Sequence, residues 1–588
     1  MWRLIILSLS LTLFAGCGRP KSPRSAHKSK AGPSVTKTKK TTAPSTKGKT
    51  GDQTPKTSGT NTKTPESATG FAALSQQQQA RGAALYEANC QACHGKQGAG
   101  DGTAARYLFP RPRDFRAGRF RLVSTVNGVP TSDDLVSVLK RGMPGSAMPP
   151  WPNLSDEDRK LLAARVLEFR RDEVRRVEKK LAADDGEELT PEELEKIVAR
   201  RTTPGAPVVV PPLEAPTPDA IVRGKELYLK KGCAACHGKT GKGDGQQKMV
   251  DAKGLPTSPR DLTLGIFKGN PDPHSVYIRT QAGMPGSPMP ATRELTPKQI
   301  GDLVQFALSL SDEATRAKAV LNRERIVAVS VKKAPTTPGD AAWKNATPAH
   351  IRMTPLWWRN NYPAELNVQA AYDGQSISLR LSWADPTADK QAAQSATFGD
   401  KVAVELYRGK TEPFLGMGSA KNPVDVWLWD ADRQNGSPDV DRVHPRIVVD
   451  RYPLTEQRVV TSAEFKRPGT ATKDQAAVSL PAKFSGNQIV PKPGEHPVES
   501  LQVGGPGSVT FRPPINQSVR SAGVWKAGRW SVVLIRKLAS DSARGGISLK
   551  PGDHVSAAFA VWDGSQHDRD GKKTITIWQD LILGQAKQ

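Results

Sequence analysis

Cysteine is scarce. The 588 residues include only five, Cys17 and the pairs Cys90/Cys93 and Cys233/Cys236, so none is left over for a structural disulfide. Large apolar side chains are missing over a whole stretch as well. Residues 18–70 are almost wholly Lys, Thr, Ser, Pro and Gly, a composition that cannot offset the entropy of folding. Twelve basic residues stand there against Asp52 and Glu66, in a chain of net charge +27. The segment reads as a flexible tether whose charge either keeps it solvated or meets anionic lipid or an acidic partner. The apolar run at the N-terminus, Leu4 to Phe14, is too short and too weakly flanked for a stable membrane span. The chain is too long for one core, and its length alone implies three or four domains.

The N-terminus, MWRLIILSLSLTLFAGCGRP, sets Arg3 before the apolar run and small residues before Cys17, the layout of a secretory signal. Its end, Leu13-Phe14-Ala15-Gly16-Cys17, resembles a bacterial lipoprotein signal, which implies cleavage before Cys17 and a lipid on that residue. Phe14 departs from the usual Leu, and cleavage by a general signal peptidase is the alternative. Residues 1–17 are thus expected to be a signal and 18–70 a tether. The chain is expected to be exported, periplasmic or at the cell surface, and anchored to a membrane through Cys17.

Next comes an internal repeat with a period of about 142 residues. RGAALYEANCQACHGKQGAGDG from Arg81 returns as RGKELYLKKGCAACHGKTGKGDG from Arg223. RPRDFRAGRF from Arg111 returns as SPRDLTLGIF from Ser258, and RGMPGSAMPPWPNLSDEDRKLLAARVLEF from Arg141 as AGMPGSPMPATRELTPKQIGDLVQFALSL from Ala282. The agreement in order and spacing points to tandem duplication of one domain. The segment before each Cys pair has a helical pattern, and each unit closes in a helix with readable start signals: Ser155 with Asp158, and Thr296 with Pro297 and Gln299. Leu161, Leu162, Val166 and Phe169 share one face of the first closing helix; Ile300, Leu303, Val304, Ala307 and Leu308 share one face of the second. Two small all-α domains are expected, at 71–170 and 219–311. Between them Arg170 to Arg201 is charged and helix-prone without a comparable apolar stripe, and PGAPVVVPPLEAPTPD from Pro204 is a semi-rigid spacer. Residues 171–218 are therefore expected to keep the two units distinct.

Each Cys pair is followed directly by a His, which argues against a redox-active or structural disulfide, although export would permit one. In C-x-x-C-H two thiols add to the vinyl groups of a haem and the His reaches the iron. Cys90 and Cys93 with His94, and Cys233 and Cys236 with His237, are read as two covalent haem c sites. Zinc would need a second ligand pair that neither unit supplies. A sixth ligand sets the role, because a Met thioether raises the potential and closes the iron to substrates. Both units resemble the bacterial class I cytochrome c family, in which the ligand Met precedes a Pro shortly before the capped terminal helix. The resemblance implies Met148 and Met289; Met143 and Met284 also precede Pro and stay open as alternatives. Arg113 and Arg260, in the two Pro-Arg-Asp triplets, either lie near haem propionates or form a turn-stabilising ion pair.

After about residue 324 the texture changes to alternation. VAVSV, LNVQAAYDGQSISLRLSW, KVAVEL, RIVVD, WSVVLI, VSAAFAVW and TITIW are separated by Gly, Pro and Asp turns, and ten of the twelve Trp lie here. An all-β domain, an antiparallel sandwich, is expected after the two all-α ones. FLGMGSAKNPVDVWLWDAD from Phe414, LRLSWADPTAD from Leu379, and the closing GRWSVVLIRKL and FAVWDGSQHDRDGKKTITIW resemble the haem-binding subunit family of ethylbenzene dehydrogenase and related type II molybdenum enzymes, over about 324–585. That resemblance implies one non-covalent haem b held between a Met and a Lys. It also implies electron exchange with a molybdenum and iron-sulfur oxidoreductase. Carried onto this sequence, the Met is Met417 and the Lys is Lys573, with Lys572 and Lys537 as alternatives. A Lys must be neutral to ligate iron, which requires burial that lowers its pKa. By composition alone Met417 is a turn residue, and any of these lysines is a snorkelling surface charge.

Electron transfer is therefore the expected function: a multihaem cytochrome that is not itself an enzyme, with redox proteins rather than nucleic acid as partners, passing electrons between a periplasmic oxidoreductase and a respiratory chain or another carrier. A di-haem peroxidase is the enzymatic alternative, but it needs a haem with an open position. A haem-free sandwich that binds sugars through exposed aromatics is the other.

Overall fold

The same crossing of two helices closes each repeat in the computed structural model, which describes residues 73–251, 253–390, 398–413, 417–434, 497–505, 508–512, 517–540 and 546–584. Cys17, the signal, the tether and the RIVVD segment lie outside the described residues. Ser75 and Gln78 form a capping box that starts helix Gln76–Asn89, and Ser155 accepts from the amide of Asp158 to start Asp156–Asp184. In the second unit Thr217 starts Pro218–Lys230, and Thr296 with Gln299 boxes Pro297–Ser309. Tyr86 packs on Phe169 with ring centroids 4.9 Å apart, and Tyr228 on Phe306 at 5.0 Å. Arg81 pairs with Asp158 at 2.6 Å and Arg223 with Asp302 at 2.9 Å. The second crossing is tight enough that a Cβ on Gly224 would stand 2.0 Å from the carbonyl oxygen of Asp302, which only glycine permits. The repeat seen in the sequence is thus a repeat in packing, down to its ion pair.

The segment between the units departs from expectation. The first closing helix runs on to Asp184, and helix Pro191–Thr202 folds back along it. Leu194 and Val198 are buried, as are Val174 and Ala182, so a sparse apolar seam does exist. Arg175 bridges Glu168 and Glu195 across the hairpin, and Arg201 reaches Glu178. A charge-dense sequence hides that seam because its apolar positions are few and split between two helices. Nor does the Pro-rich stretch stand clear of the units. Val208 donates to the carbonyl of Ser124 at 2.7 Å and Ala206 accepts from Val126 at 2.9 Å, while Val210 and Leu213 pack on the core of the second unit. The spacer is a strap lying on both units, which themselves touch: Arg141 of the first donates to the carbonyl of Phe267 in the second at 3.0 Å.

The C-terminal region is rich in sheet. Among the described residues eleven strands follow one hydrogen-bonded path: Val509–Phe511, Val498–Val503, Val424–Asp430, Lys401–Tyr407, His554–Trp562, Gln579–Leu583, Arg325–Ser330, Glu365–Tyr372, Ser376–Ala384, Arg529–Lys537 and Arg520–Trp525, with three short strands at its side. Alternation does what period two requires: Ile377, Leu379, Leu381 and Trp383 are all fully buried. Trp429 and Trp530 meet edge to face with centroids 5.0 Å apart although six strands separate them along the path. The path therefore bends so that its two halves share one core. Most pairings are antiparallel, as expected. Two are not: Arg325–Ser330 lies parallel to both Gln579–Leu583 and Glu365–Tyr372. That strand enters from the helical half and is inserted between strands distant in sequence, so no hairpin fixes its direction.

Candidate functional site

In the first unit His94 ends a single helical turn, Gln91–His94. Its Nδ1–H donates to the carbonyl oxygen of Arg113 at 3.0 Å, and its ring stacks on Phe115 at 4.3 Å. Burial pushes its pKa down to about 4, so the ring is neutral with Nε2 left as the basic nitrogen, the state that ligates metals. Burial likewise pushes the thiols of Cys90 and Cys93 up to about 12, the opposite of a redox-active C-x-x-C pair. His237 is also held near 4 by burial, and its Nδ1 is buried without a hydrogen-bond partner among the described residues.

The methionines of each unit sit on matching loops. Gly142 and Gly283 turn at φ +72° and +70°. Met143 then donates its amide to the carbonyl of Met148 at 3.0 Å, as Met284 does to Met289 at 3.2 Å. Ser146 and Ser287 tie each loop to the carbonyls of Met143 and Met284. Cys90, Cys93, His94, Met143 and Met148 all line one cavity. Met148 also packs within the cluster of Cys90, Leu162 and Phe169, whereas in the second unit Met284 is buried and Met289 half-buried.

That cavity, about 790 Å³, does not stop at the first unit. It continues onto the sheet, where Met417 and Lys573 line it together with Ala403, Glu405 and Trp562. Ala403 pairs with Ala560, and Glu405 with Ala558, on neighbouring strands, and these positions alternate with the core residues Val402, Val404, Phe559 and Val561. The hollow is thus the outer face of the sheet. Its floor is low because Ala403, Ala558 and Ala560 carry only methyl groups, and the first helical unit closes over it: Phe109 and Leu356 share a backbone hydrogen bond, and Phe109 stacks on Trp357. An apolar floor, a thioether and an amine facing one chamber suit a haem held without covalent links.

Of the three candidate lysines, Lys573 alone reaches the cavity. Burial pushes its pKa down, against the pull of Glu405, and its ammonium lies 4.7 Å from the Trp562 ring centroid. Lys572 turns away to the carbonyl of Gln566, and Lys537 is exposed. Sequence reasoning missed Glu405, whose carboxyl burial pushes up to about 8; an acidic residue in an otherwise apolar strand was the available signal. Of the two readings of the triplet arginines, the turn-stabilising ion pair is not made among the described residues. Asp114 pairs with Arg116, Asp261 accepts from Thr263, and Arg260 bonds the carbonyls of Gly145 and Ser258 at 2.6 and 3.0 Å.

Comparison with known proteins follows the same divisions. Residues 340–574 match the ethylbenzene dehydrogenase family, 221–311 the cytochrome c family, and 77–164 the family of subunit III of cbb3-type cytochrome c oxidase. A heme subunit assigned to the respiratory nitrate reductase of Haloferax mediterranei is 27% identical over 45% of this chain and 75% of its own length. The gamma subunits of dimethylsulfide dehydrogenase from Rhodovulum sulfidophilum and of chlorate reductase from Ideonella dechloratans are 25% and 26% identical, each over 42% of this chain and over 74% and 75% of their own lengths. By these matches the chain joins two cytochrome c domains, and hence covalent haem c, to a domain of ethylbenzene dehydrogenase type, and its relatives are heme and gamma subunits of oxidoreductases.

Proposed function

We propose that this chain is the electron-transfer subunit of a molybdenum-type oxidoreductase complex, with two haem c and one haem b, and that its relay runs second cytochrome unit, first cytochrome unit, sheet domain. Each haem, when bound, supplies a one-electron iron couple; the chain supplies ligands, burial and spacing. The observation that carries the order is the single cavity in which Cys90, Cys93 and His94 share walls with Met417 and Lys573. The first unit stands in the middle, although in sequence it comes first. His94, His237, Met148 and Met289 are the proposed c ligands, and Met417 and Lys573 the b ligands, in a sheet domain read as a two-layered sandwich. The proposed divisions are helical domains at 71–170 and 219–311 and the sheet domain at 324–585. Substrate chemistry belongs to the partner, and export with a lipid on Cys17 would tether the relay at a membrane.

A haem count on the full-length protein tests this. Pyridine haemochrome spectra should give two c haems to one b. Met417→Ala and Lys573→Ala should each lose the b signal and keep both c haems. A protein with two c haems and no b would end the relay at the first unit and sink the proposal.

A further inference from the structure

The two cytochrome units meet through their Pro-Arg-Asp triplets and the segments that follow, and they meet reciprocally. Arg260 of the second unit donates to the carbonyl oxygen of Gly145, in the methionine loop of the first, at 2.6 Å. Nη1 of Arg113, in the first unit, lies 2.7 Å from where a Cβ on Gly286 would stand, in the methionine loop of the second. A Cβ on Gly269 would likewise meet Leu122 at 3.3 Å. Along the repeat Arg113 corresponds to Arg260 and Arg121 to Lys268, so the junction gathers two equivalent pairs of cations.

Four basic side chains at one junction call for anions to hold them charged, and among the described residues no carboxylate pairs with them. Among the described residues none of the four has a carboxylate within 4.0 Å: they appear in no ion pair, whereas Arg81, Arg116 and Arg223 do. Arg260 is 4% exposed and its Nη2 is buried without a partner, as is Nε of Arg121. Burial, then the charges of Arg260, Arg121 and Arg113, hold Lys268 well below the usual amine range. Asp251 favours the charged forms of Arg113 and Arg121, and Asp114 that of Arg113, but Asp251 already accepts from the amides of Lys253 and Leu255 and Asp114 pairs with Arg116. Unpaired buried cations are costly, so a fold that keeps four together expects an anion there. Arg113 and Arg121 also line the cavity that holds Cys90, Cys93 and His94, and the charge of Lys268 acts on His237. The cluster therefore stands between the two iron ligands.

We infer that Arg113, Arg121, Arg260 and Lys268 form one shared site for the propionate carboxylates of both c haems, built from both units, so that the two haems are coupled through common cations. The inference rests on the proposed electron-transfer reading. Each haem carries two propionates, so four carboxylates meet four cations, and guanidinium groups suit bidentate carboxylate pairing. Because each cation serves both haems, its charge favours the reduced state of both.

The test is potentiometric titration of the full-length holoprotein, followed in the c-type absorbance. In Arg121→Gln both c waves should shift to lower potential, and Arg121→Lys should leave both near the wild-type values. Lys268→Gln, in the other unit, should again move both waves and keeps the test open should Arg121→Gln fail to fold. A variant that moves one wave only, or neither, with two c haems retained, overturns the shared site. Absence of two c haems from the wild-type protein would instead overturn the functional reading, and the pyridine haemochrome distinguishes the two failures.

Discussion

Arg260, in the second cytochrome unit, donates from Nε to the backbone carbonyl of Gly145 in the first. The contact needs Gly145 as it is: φ is +78°, and a Cβ there would stand 2.4 Å from Nε of Arg260. Gly145→Ala is expected to pay twice, about 1–2 kcal/mol for a left-handed backbone and more for a displaced guanidinium. Gly128→Ala, at φ +73° with its nearest neighbour 3.8 Å away, carries only the first cost. Thermal melts of the two holoproteins should differ, with Gly145→Ala lower; equal melting temperatures would mean that the Arg260 contact contributes nothing.

The hollow on the sheet makes a separate prediction. Ala403 and Ala560 face each other across neighbouring strands at its floor, so Ala403→Leu fills space on the cavity side while leaving Met417, Lys573 and the core residues unsubstituted. The ratio of b to c haem should drop from one in two towards zero while the c haems stay. Retention of full b content would place the cofactor elsewhere.

Stability should also depend on pH through a buried carboxylate trio. Asp385, Asp400 and Asp563 lie within 4.8 Å of one another. Burial, then the charges of Asp400 and Asp563, push Asp385 up to about 8, and burial pushes Asp400 up to about 7. Between about pH 4 and those values the folded chain holds protons that the unfolded chain has released, so this contribution to stability is full at low pH and falls as pH rises. The slope is about 1.4 kcal/mol per pH unit for each such proton. Urea midpoints of wild type and Asp385→Asn, measured from pH 5 to 9 (about four units, spanning the window), should diverge in favour of the variant as pH rises. Parallel curves would show that Asp385 ionises freely.

Trp429 tests the bend in the sheet. Its ring contacts Trp383 and Trp530 at 6.4 and 5.0 Å, and its Nε1 donates to Gln434 at 3.0 Å. Trp429→Ala should cost about 3–5 kcal/mol in equilibrium unfolding of the sheet domain. A loss under 1 kcal/mol (roughly the scale of a surface change) would mean that the two halves of the path do not depend on this contact.

The sequence made legible whatever depends on local order. The repeat, its caps at Ser155 and Thr296, and the strands from Glu365 to Ala384 follow from neighbours within a few residues. Arg325–Ser330 read correctly as a strand but not as a parallel one, because direction depends on partners some 40 and 250 residues away. The apolar seam beneath Arg175 and Arg201 was masked by the charges that decorate it. Cys90, Cys93 and His94 announce themselves by spacing, and Met417 by resemblance, but their meeting in one cavity depends on how the first unit docks on the sheet. No periodicity encodes that. Resemblance favours Lys573 and leaves Lys572 and Lys537 open, and burial and direction separate them.

The reciprocal junction has a further meaning for the duplication itself. Residue i of one unit meets residue j of the other, and the equivalent of j meets the equivalent of i: Arg113 reaches the loop of Gly286, and Arg260 the loop of Gly145. That is the isologous pattern of a two-fold homodimer, here written into one polypeptide. The strap of residues 204–215 keeps the two halves at high effective concentration, so an association that separate subunits would owe to their abundance becomes a fixed property of the chain.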